Sequence, residues 1–259
     1  MLQNVHPLLS YFYYWLKKED KYSLQSPLLF KTYQGLIHFK YSRKEADLDI
    51  EAYRKTLLNS EEIIKVTDFG AGSKRVNTSL RKVSDITKFS TSSRKYAQLY
   101  QYFCSLTPAR TVLELGTCMG ISTRYLSKVT KGSLFSFEGS EKIARVAKPT
   151  QGFDNIQIHI GDLSEMLPVT LGMLEEVDFA LIDATHTYEG TIEYFNQILS
   201  KVHSKTILAI GDIHWSKEME LAWNEIKLRP EVKLSLDFYE CGIVFFNYPG
   251  SKSEYVLDY

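Results

Sequence analysis

Two patterns of apolar residues divide the chain near residue 107. Before that point, apolar side chains such as Leu8, Phe12 and Trp15 recur at helical spacing. Pro27, directly after Ser26, suits the first turn of a second helix. Helices are predicted around 8–16, after 26, over 44–58 and over 98–107, with a polar stretch over 68–95. We therefore expect residues 1–107 to form a helical N-terminal extension.

From residue 108 onward, short apolar runs alternate with helix-compatible segments. The strand candidates are 111–115, 133–137, 156–160, 177–182, 206–210, 232–237 and 241–246. This alternation predicts β-α-β units and a mainly parallel sheet. The last two candidates are separated by only three residues, too few for a parallel crossover, so the final strand should be antiparallel. Residues 108–259 are expected to form an α/β domain.

Composition excludes several classes of protein. The 259 residues include 31 Lys+Arg and 31 Asp+Glu, so no net charge attracts nucleic acid or an anionic membrane. No apolar run approaches the ~20 residues of a membrane span, and the N-terminus lacks a signal-peptide pattern. The three cysteines have no paired spacing, which favours a reducing compartment. We expect a cytoplasmic protein with no membrane partner.

The first strand of this sheet leads into a glycine turn. The segment Glu114-Leu-Gly-Thr-Cys-Met-Gly-Ile-Ser-Thr123 follows an apolar run and precedes a helix-like stretch. Such a turn brings backbone N–H groups and a helix N-terminus close to a nucleotide-like ligand. Cys118 stands where the second glycine of the dinucleotide fingerprint would be, so that fingerprint is not matched. We read Cys118 as a small buried filler.

The glycine turn resembles motif I of class I S-adenosylmethionine (SAM)-dependent methyltransferases. Its form, E-L-G-T-x-x-G-x-S/T, is similar to that of small-molecule O-methyltransferases of the catechol type. The segments DFGAGS (68–73) and GDIHWSKEMELAWNEIK (211–227) extend the resemblance to a bacterial group of class I methyltransferases. The resemblance implies SAM as cofactor and a Rossmann-like sheet of seven strands in the order 3-2-1-4-5-7-6.

Acidic residues close the first five strand candidates. They are Glu114, Glu138, Asp162, Asp183 and Asp212. Because ligands of open α/β sheets bind beyond the carboxyl ends of the strands, we expect these carboxylates to surround the ligand. Glu138, followed by Gly139, lies 22 residues after Gly116 and suits the two ribose hydroxyls, or else a helix N-terminus.

The resemblance also implies the remaining cofactor contacts. Asp162 and Leu163 match the adenine-binding position, and the alternative for Asp162 is the N-cap of a short helix. Glu114 would reach the methionine amino group or only order the loop. The other expected cofactor-binding residues are Gly116, Thr117, Gly120, Ser122, Thr123 and Asp183.

The segment after the fourth strand candidate carries the chemistry of methyl transfer. Asp183 and His186, in the pattern D-x-x-H-x-Y-E-G, resemble the macrolide-sugar group of metal-dependent O-methyltransferases. There the aspartate binds a divalent cation and the histidine is the general base. A cation lowers the pKa of a hydroxyl, and a histidine that titrates near neutrality accepts its proton. The alternative for His186 is a solvated helix N-terminal residue.

Asp212 ends the fifth strand candidate and is the expected second metal ligand. Metal-dependent relatives carry two adjacent acidic or amide ligands there, whereas this chain has Gly211-Asp212. Two carboxylates and waters still suffice for Mg²⁺ or Mn²⁺, so we expect Asp183 and Asp212 to form a metal site. His214 and Trp215 are expected to line or support the substrate pocket.

Residues 74–95 contain seven basic residues and one acid. This stretch is either a solvated face or a contact surface for an anionic substrate, such as a phosphorylated or acidic glycan precursor.

The leading function is SAM-dependent O-methylation of a small molecule or glycan. The alternatives are a SAM-binding protein that has lost catalysis and a nucleic-acid methyltransferase, whose D/N-P-P-Y/F and Pro-Cys motifs are missing. The aromatic residues 11–15 suit a helix core or a homodimer face.

Overall fold

The computed structural model describes residues 6–67, 79–149 and 151–259. The predicted glycine loop at 68–73, together with Lys74 and Arg75 of the basic stretch, lies outside these residues.

The described residues of the N-terminal part form five helices and a small hairpin. The helices are α1 (His6–Lys17), α2 (Pro27–Ser42), α3 (Leu48–Leu58), α4 (Val83–Ser90) and α5 (Arg94–Ser105), and the hairpin pairs β1 (Ile63–Lys65) with β2 (Leu80–Lys82). Helix α2 begins at Pro27 as expected, and Ser26 caps it, since the Ser26 side chain accepts the Leu29 N–H. Helix α4 and strand β2 were missed because they fall in the polar stretch, and β1 was missed because it has only three residues, of which one is buried.

The C-terminal part alternates strands and helices. The strands are β3 (Thr111–Leu115), β4 (Ser133–Glu138), β5 (Ile156–Ile160), β6 (Val177–Ile182), β7 (Val202–Gly211), β8 (Leu234–Asp237), β9 (Cys241–Phe245) and β10 (Ser253–Val256). The helices are α6 (Ile121–Ser127), α7 (Glu141–Ala147), α8 (Leu163–Met173), α9 (Tyr188–Leu199) and α10 (Lys217–Leu228). All seven predicted strands are present, with ends that differ by a few residues.

The strands form one eight-stranded sheet in the order β10-β8-β9-β7-β6-β3-β4-β5. Seven of them reproduce the expected order 3-2-1-4-5-7-6, and β9 is antiparallel to both of its neighbours. The predicted count of seven is one too low, because β10 adds a parallel strand beside β8. This four-residue strand is only partly buried and contains no apolar run, so no sequence pattern marks it.

Helices cover both faces of the sheet. On one face, α2 and α5 pack against the strands, and Leu99 and Phe103 share a core with Val112 and Phe179. On the other face lie α8, α9 and α10, whose side chains include the fully buried Phe195. The central strand β6 is buried at all six positions, so its sequence is apolar on both faces apart from Asp178 rather than alternating.

A third core places the N-terminal elements over the glycine turn. Ile64 of the hairpin and Ile86 of α4 pack with Met119, Ile121 and Ile143 of the α/β part. This contact brings α4 and the start of α5 to the carboxyl edge of the sheet. No helix in the described ranges is long and apolar enough to cross a membrane.

Candidate functional site

A cleft of about 1080 Å³ opens at the carboxyl ends of the parallel strands. Its walls come from the glycine turn, the ends of β4, β6 and β7, and the α4–α5 region. The predicted site residues that line it are Gly116, Thr117, Ser122, Glu138, Gly139, Leu163, Asp183, His186 and Asp212. Glu114, Gly120, Thr123 and Asp162 are not among its wall residues. A second cavity of about 1010 Å³, between α2 and the sheet, contains none of the strand-end acids.

The glycine turn requires both of its glycines. Gly116 has φ +105°, and a Cβ there would lie 2.3 Å from the backbone oxygen of Asp183. Gly120 has φ +69°, and a Cβ there would lie 2.5 Å from Nη1 of Arg124. At both positions, therefore, the positive φ and the lack of room for a Cβ exclude a side chain. The turn is tied to β4, since the N–H groups of Gly116 and Thr117 both donate to the Phe137 carbonyl.

Glu138 is held by the backbone at the cleft wall. Its Oε2 accepts the Cys118 N–H and its Oε1 accepts the Ser140 N–H, each at 2.9 Å. Each carboxylate oxygen can accept a second hydrogen bond, so this fixed group can receive two hydroxyls of a ribose. Burial raises the pKa of the neighbouring Cys118 thiol, so this residue stays a thiol and is not an activated nucleophile.

Glu114 is a fully buried carboxylate behind the glycine turn. Its Oε2 accepts the Ser136 hydroxyl at 2.6 Å, whereas its Oε1 has no hydrogen-bond partner among the described residues. Burial raises the pKa of Glu114 to about 7, against the opposing effect of the Ser122, Ser136 and Thr123 hydroxyls. A buried acceptor without a partner costs free energy, and an ammonium group would satisfy it.

Asp162 caps helix α8. Its Oδ1 accepts the N–H of Ser164 at 2.9 Å and the hydroxyl of Ser164 at 2.7 Å. The capping alternative is thus present in the structure, while contact with an adenine stays a prediction. The next residue, Leu163, lines the cleft.

Asp183, His186 and Asp212 converge at the end of the cleft formed by β6 and β7. One ligand atom from each residue lies within 4.8 Å of the others. The Nδ1 atom of His186 is 3.9 Å from Oδ2 of Asp212. Burial and the nearby Asp212 raise the pKa of Asp183 to about 6, although His186 opposes this shift. Two carboxylates and an imidazole at this separation suit a divalent cation or a proton transfer.

Unusual backbone conformations bring these side chains together. Thr185, His186 and Asp212 all have positive φ, at 59°, 50° and 54°. The His186 N–H donates to the Ala184 carbonyl at 2.7 Å, which closes a tight turn directly after β6. Non-glycine residues in this region carry a conformational cost and are enriched at active sites.

Aromatic rings complete this end of the cleft. As expected, His214 and Trp215 line it, and the rings of His186 and Trp215 lie 5.7 Å apart. His214 pairs with Asp237 at 2.8 Å and stacks on Tyr239. Sequence reasoning missed Tyr239 and Tyr100. The spacing of Tyr96 and Tyr100, four residues apart on one helix face, was the available signal for Tyr100.

A second group of metal-binding residue types is structural. Glu176, Asp178 and His203 lie near one another at the other end of β6. Asp178 already accepts the N–H groups of Arg110 and Thr111 and binds His203 at 3.0 Å. The second ring nitrogen of His203 accepts the Lys205 N–H. With both ring nitrogens engaged, this group joins chain segments rather than holding a ligand.

Comparison with known proteins agrees with this geometry. Residues 113–213 match the family model described as a methyltransferase domain. A search of curated protein sequences gave no match. The fold is similar to that of the O-methyltransferase TomG from Streptomyces achromogenes, which is involved in tomaymycin synthesis and was solved with SAM. The TM-score is 0.51 at 16% identity, over 61% of this chain and 82% of TomG.

Two further solved structures share the fold. The O-methyltransferase from Bacillus cereus, in complex with SAH, has a TM-score of 0.50 at 19% identity, over 60% of this chain and 82% of that protein. The SAH-bound methyltransferase PaMTH1 from Podospora anserina has a TM-score of 0.52 at 16% identity, over 79% of this chain and 97% of PaMTH1. At such identities the structural similarity establishes the fold alone, and the family model matches residues 113–213.

Proposed function

We propose that this chain, which contains a methyltransferase domain of the class I, SAM-dependent type, methylates a hydroxyl of a small molecule or glycan. The observation that carries the proposal is the convergence of Asp183, His186 and Asp212 in the cleft that also contains the glycine turn. The cleft is large enough to hold a nucleoside cofactor and an acceptor together.

The residues of the cleft fit SAM. When bound, SAM supplies an electrophilic methyl group on a positively charged sulfur. Glu138 would receive the ribose hydroxyls, and Oε1 of Glu114, which has no hydrogen-bond partner in the described part of the chain, would receive the amino group of the methionine end. Ser122, Thr123 and Thr117 would bind its carboxylate, and Asp162 with Leu163 would bind the adenine.

The acceptor hydroxyl would lie beside His186. There the imidazole accepts the hydroxyl proton as the oxygen attacks, which is general-base catalysis. Asp183 and Asp212 would hold a divalent cation, Mg²⁺ or Mn²⁺, which supplies a Lewis acid that orients the hydroxyl and lowers its pKa. Much of the rate would come from the fixed alignment of hydroxyl and methyl group.

Residues 1–107 are proposed to cap a SAM-binding domain formed by 108–259. In support, the Tyr53 hydroxyl donates to the carbonyls of Met119 and Val146, and the Tyr125 hydroxyl donates to Glu51. A cytoplasmic location is also part of the proposal, because the three cysteines have no paired spacing and so favour a reducing compartment. A homodimer is proposed on the apolar face of α1, whose exposed side chains include Phe12, Tyr13 and Trp15.

The test is calorimetric titration of the purified protein with S-adenosylhomocysteine, with and without Mg²⁺ or Mn²⁺. Micromolar binding is expected, and an effect of the cation would support the Asp183–Asp212 site. Transfer of a labelled methyl group from SAM to a panel of hydroxyl acceptors then tests the reaction. Absence of binding under every condition would overturn the proposal, whereas binding without transfer to any acceptor would favour a SAM-binding protein that has lost catalysis.

A further inference from the structure

Helix α1 is amphipathic in the opposite sense to an ordinary surface helix. Its two buried residues, Ser10 and Tyr14, both carry hydroxyl groups. Its outward side carries six large apolar side chains that are each more than half exposed, namely Leu8, Leu9, Phe12, Tyr13, Trp15 and Leu16. At about 100° per residue, these six positions form one continuous arc of roughly 160°. A surface helix normally turns such an arc toward its own core, whereas α1 turns it outward.

The inner side of α1 is fixed to the rest of the chain. The Tyr14 hydroxyl donates to the Leu257 carbonyl at 2.7 Å, directly after β10. On α10, the Glu220 carboxylate lies 3.1 Å from Nε2 of His6 and accepts the Ser10 hydroxyl at 3.3 Å. The outward direction of the apolar arc is therefore set by specific contacts on the opposite side of the helix.

The apolar arc is large enough to be the centre of a protein interface. A fully exposed aromatic side chain offers ~150–250 Å², so six large side chains that are half exposed present on the order of 600 Å². Contiguous apolar patches of this size on a soluble protein usually mark an interaction site. A stable interface buries about 800 Å² per partner and has a centre rich in aromatic residues with a polar rim. The arc has the size and the composition of such a centre.

The charges of α1 favour a second copy of this chain as the partner. Besides His6, which pairs with Glu220, the helix contains one charged residue, Lys17, in its last turn. Two copies of the arc can therefore meet without like charges opposite each other. A helix that binds an anionic membrane surface instead carries a face rich in Lys and Arg, which the sequence of α1 does not provide. Most homodimers pair the same surface of both subunits.

The first turn of α1 lies at the acceptor end of the cleft, where β6 and β7 finish. Pro7 lines the cleft, and its carbonyl accepts the Tyr239 hydroxyl at 2.8 Å. The Tyr11 ring meets Tyr239 edge-on, with centroids 5.1 Å apart, and Tyr239 stacks on His214 of the cleft wall. Leu8, the first residue of the arc, directly follows Pro7. A protein that packs on the arc therefore stands beside the opening of the cleft.

We propose that α1 pairs with α1 of a second copy of this chain, and that this second copy covers the acceptor end of the cleft. The inference rests on the proposed function, which names the homodimer and the acceptor end, and adds that the site is completed by the second copy. A covered acceptor end excludes water from the reacting hydroxyl and so strengthens the electrostatic interactions around it. Association of the two copies and the shape of the acceptor site are thereby linked.

The experiment measures association of the full chain by analytical ultracentrifugation over a range of concentrations. The variants are Phe12→Glu and Trp15→Glu, whose rings stack on each other within the arc. Met173→Glu is the matched control, since Met173 is 69% exposed but lies on α8. Because all three side chains are exposed in the single chain, the variants should fold, and thermal unfolding verifies this. Hydrogen–deuterium exchange of α1 and of segments 212–216 and 238–240 then reports which parts the second copy covers.

We expect a dimer whose dissociation constant rises at least about tenfold in Phe12→Glu and Trp15→Glu, because a charge in an apolar interface is costly. Met173→Glu should leave the dissociation constant unchanged. Exchange in α1 and in both segments should be slower in the wild-type dimer than in Phe12→Glu.

Three outcomes would overturn the inference. The first is a wild-type monomer at every concentration, including one that sediments with vesicles of anionic phospholipid and so uses the arc on a membrane. The second is a dimer that both α1 variants leave intact. The third is slower exchange confined to α1, because the second copy would then leave the cleft open. None of these measurements uses the cofactor, so failure of the proposed function is seen separately, as absent S-adenosylhomocysteine binding.

Discussion

The carboxylate of Asp183 occupies the space where a side chain of residue 211 would begin. A Cβ at Gly211 would lie 2.1 Å from Oδ1 of Asp183 and 2.7 Å from its Cγ. The two residues are neighbours because Ile182 of β6 pairs with Ile210 of β7. A side chain at position 211 would displace the Asp183 carboxylate, so Gly211 is required for Asp183 to keep its place.

We expect Gly211→Ala to reduce methyl transfer at least about tenfold, because the new methyl group displaces the Asp183 carboxylate and small misplacements are costly in catalysis. S-adenosylhomocysteine affinity should change by less than about threefold, since the ribose and amino contacts lie on other strands. Turnover and calorimetric affinity measure the two effects. The matched control is Gly172→Ala, because a Cβ at Gly172 meets nothing within 4 Å. Equal turnover in the two variants would contradict this role of Gly211.

The strands of the sheet were predictable because a buried parallel strand needs an apolar run. The strand β10 was not, because it lies at the edge and is only partly buried, so no apolar run marks it. The strand order came from the resemblance to a known family. The positions of the strand-end acids followed from the rule that parallel strands end at one edge of the sheet.

Contacts between distant segments were beyond sequence reasoning. The fit of Asp183 against Gly211 depends on the register of β6 and β7. The opposite orientations of the Arg81 and Lys82 side chains depend on the hairpin, which places Arg81 on its buried face and Lys82 on its outer face. Tyr239 lies in a short turn with φ +72° and reaches the cleft through its stacking on His214. None of these features leaves a periodic signal in the sequence.

We predict that Glu138→Ala weakens S-adenosylhomocysteine binding by about 10- to 100-fold, the range expected for loss of hydrogen bonds to a charged group. The carboxylate also holds the Cys118 and Ser140 N–H groups, so part of the loss reflects a less ordered glycine turn. Calorimetry measures the affinity, and thermal unfolding verifies that the variant is folded. Glu141→Ala is the control, because Glu141 pairs with Arg145 on the surface. An unchanged affinity in a folded Glu138→Ala protein would exclude the ribose assignment.

His186→Ala should lower turnover by about 10²- to 10⁴-fold, the usual contribution of a general base, and leave S-adenosylhomocysteine affinity nearly intact. The residual activity should rise with pH, as hydroxide and the ionised acceptor replace the missing base. Single-turnover rates from pH 6 to 9 provide the measurement. His38→Ala, which alters the second cavity instead, is the control. Wild-type turnover in the His186→Ala protein would remove this residue from the reaction.

Glu114→Gln should change how the stability of the cofactor-free protein depends on pH. Burial raises the pKa of Glu114 from 4.5 to about 7. A raised pKa means that the folded state keeps its proton where the unfolded chain has lost it. The contribution of the protonated Glu114 to the free energy of unfolding is therefore complete below about pH 4.5 and is lost as pH rises through about 7. The difference between the two pKa values corresponds to about 3 kcal/mol.

Denaturant unfolding at pH 5 and pH 8 measures this effect. Between pH 5 and pH 8, the free energy of unfolding of the wild-type protein should fall by up to about 3 kcal/mol more than that of Glu114→Gln. The reason is that the amide of the variant has no proton to lose. Saturation with S-adenosylhomocysteine should shrink the difference, since an ammonium group at the partnerless Oε1 of Glu114 favours the ionised carboxylate. If the free energies of unfolding of the two cofactor-free proteins depend on pH in the same way, Glu114 is ionised in the folded state. A difference that S-adenosylhomocysteine leaves unchanged would instead place the amino group of the cofactor away from Glu114.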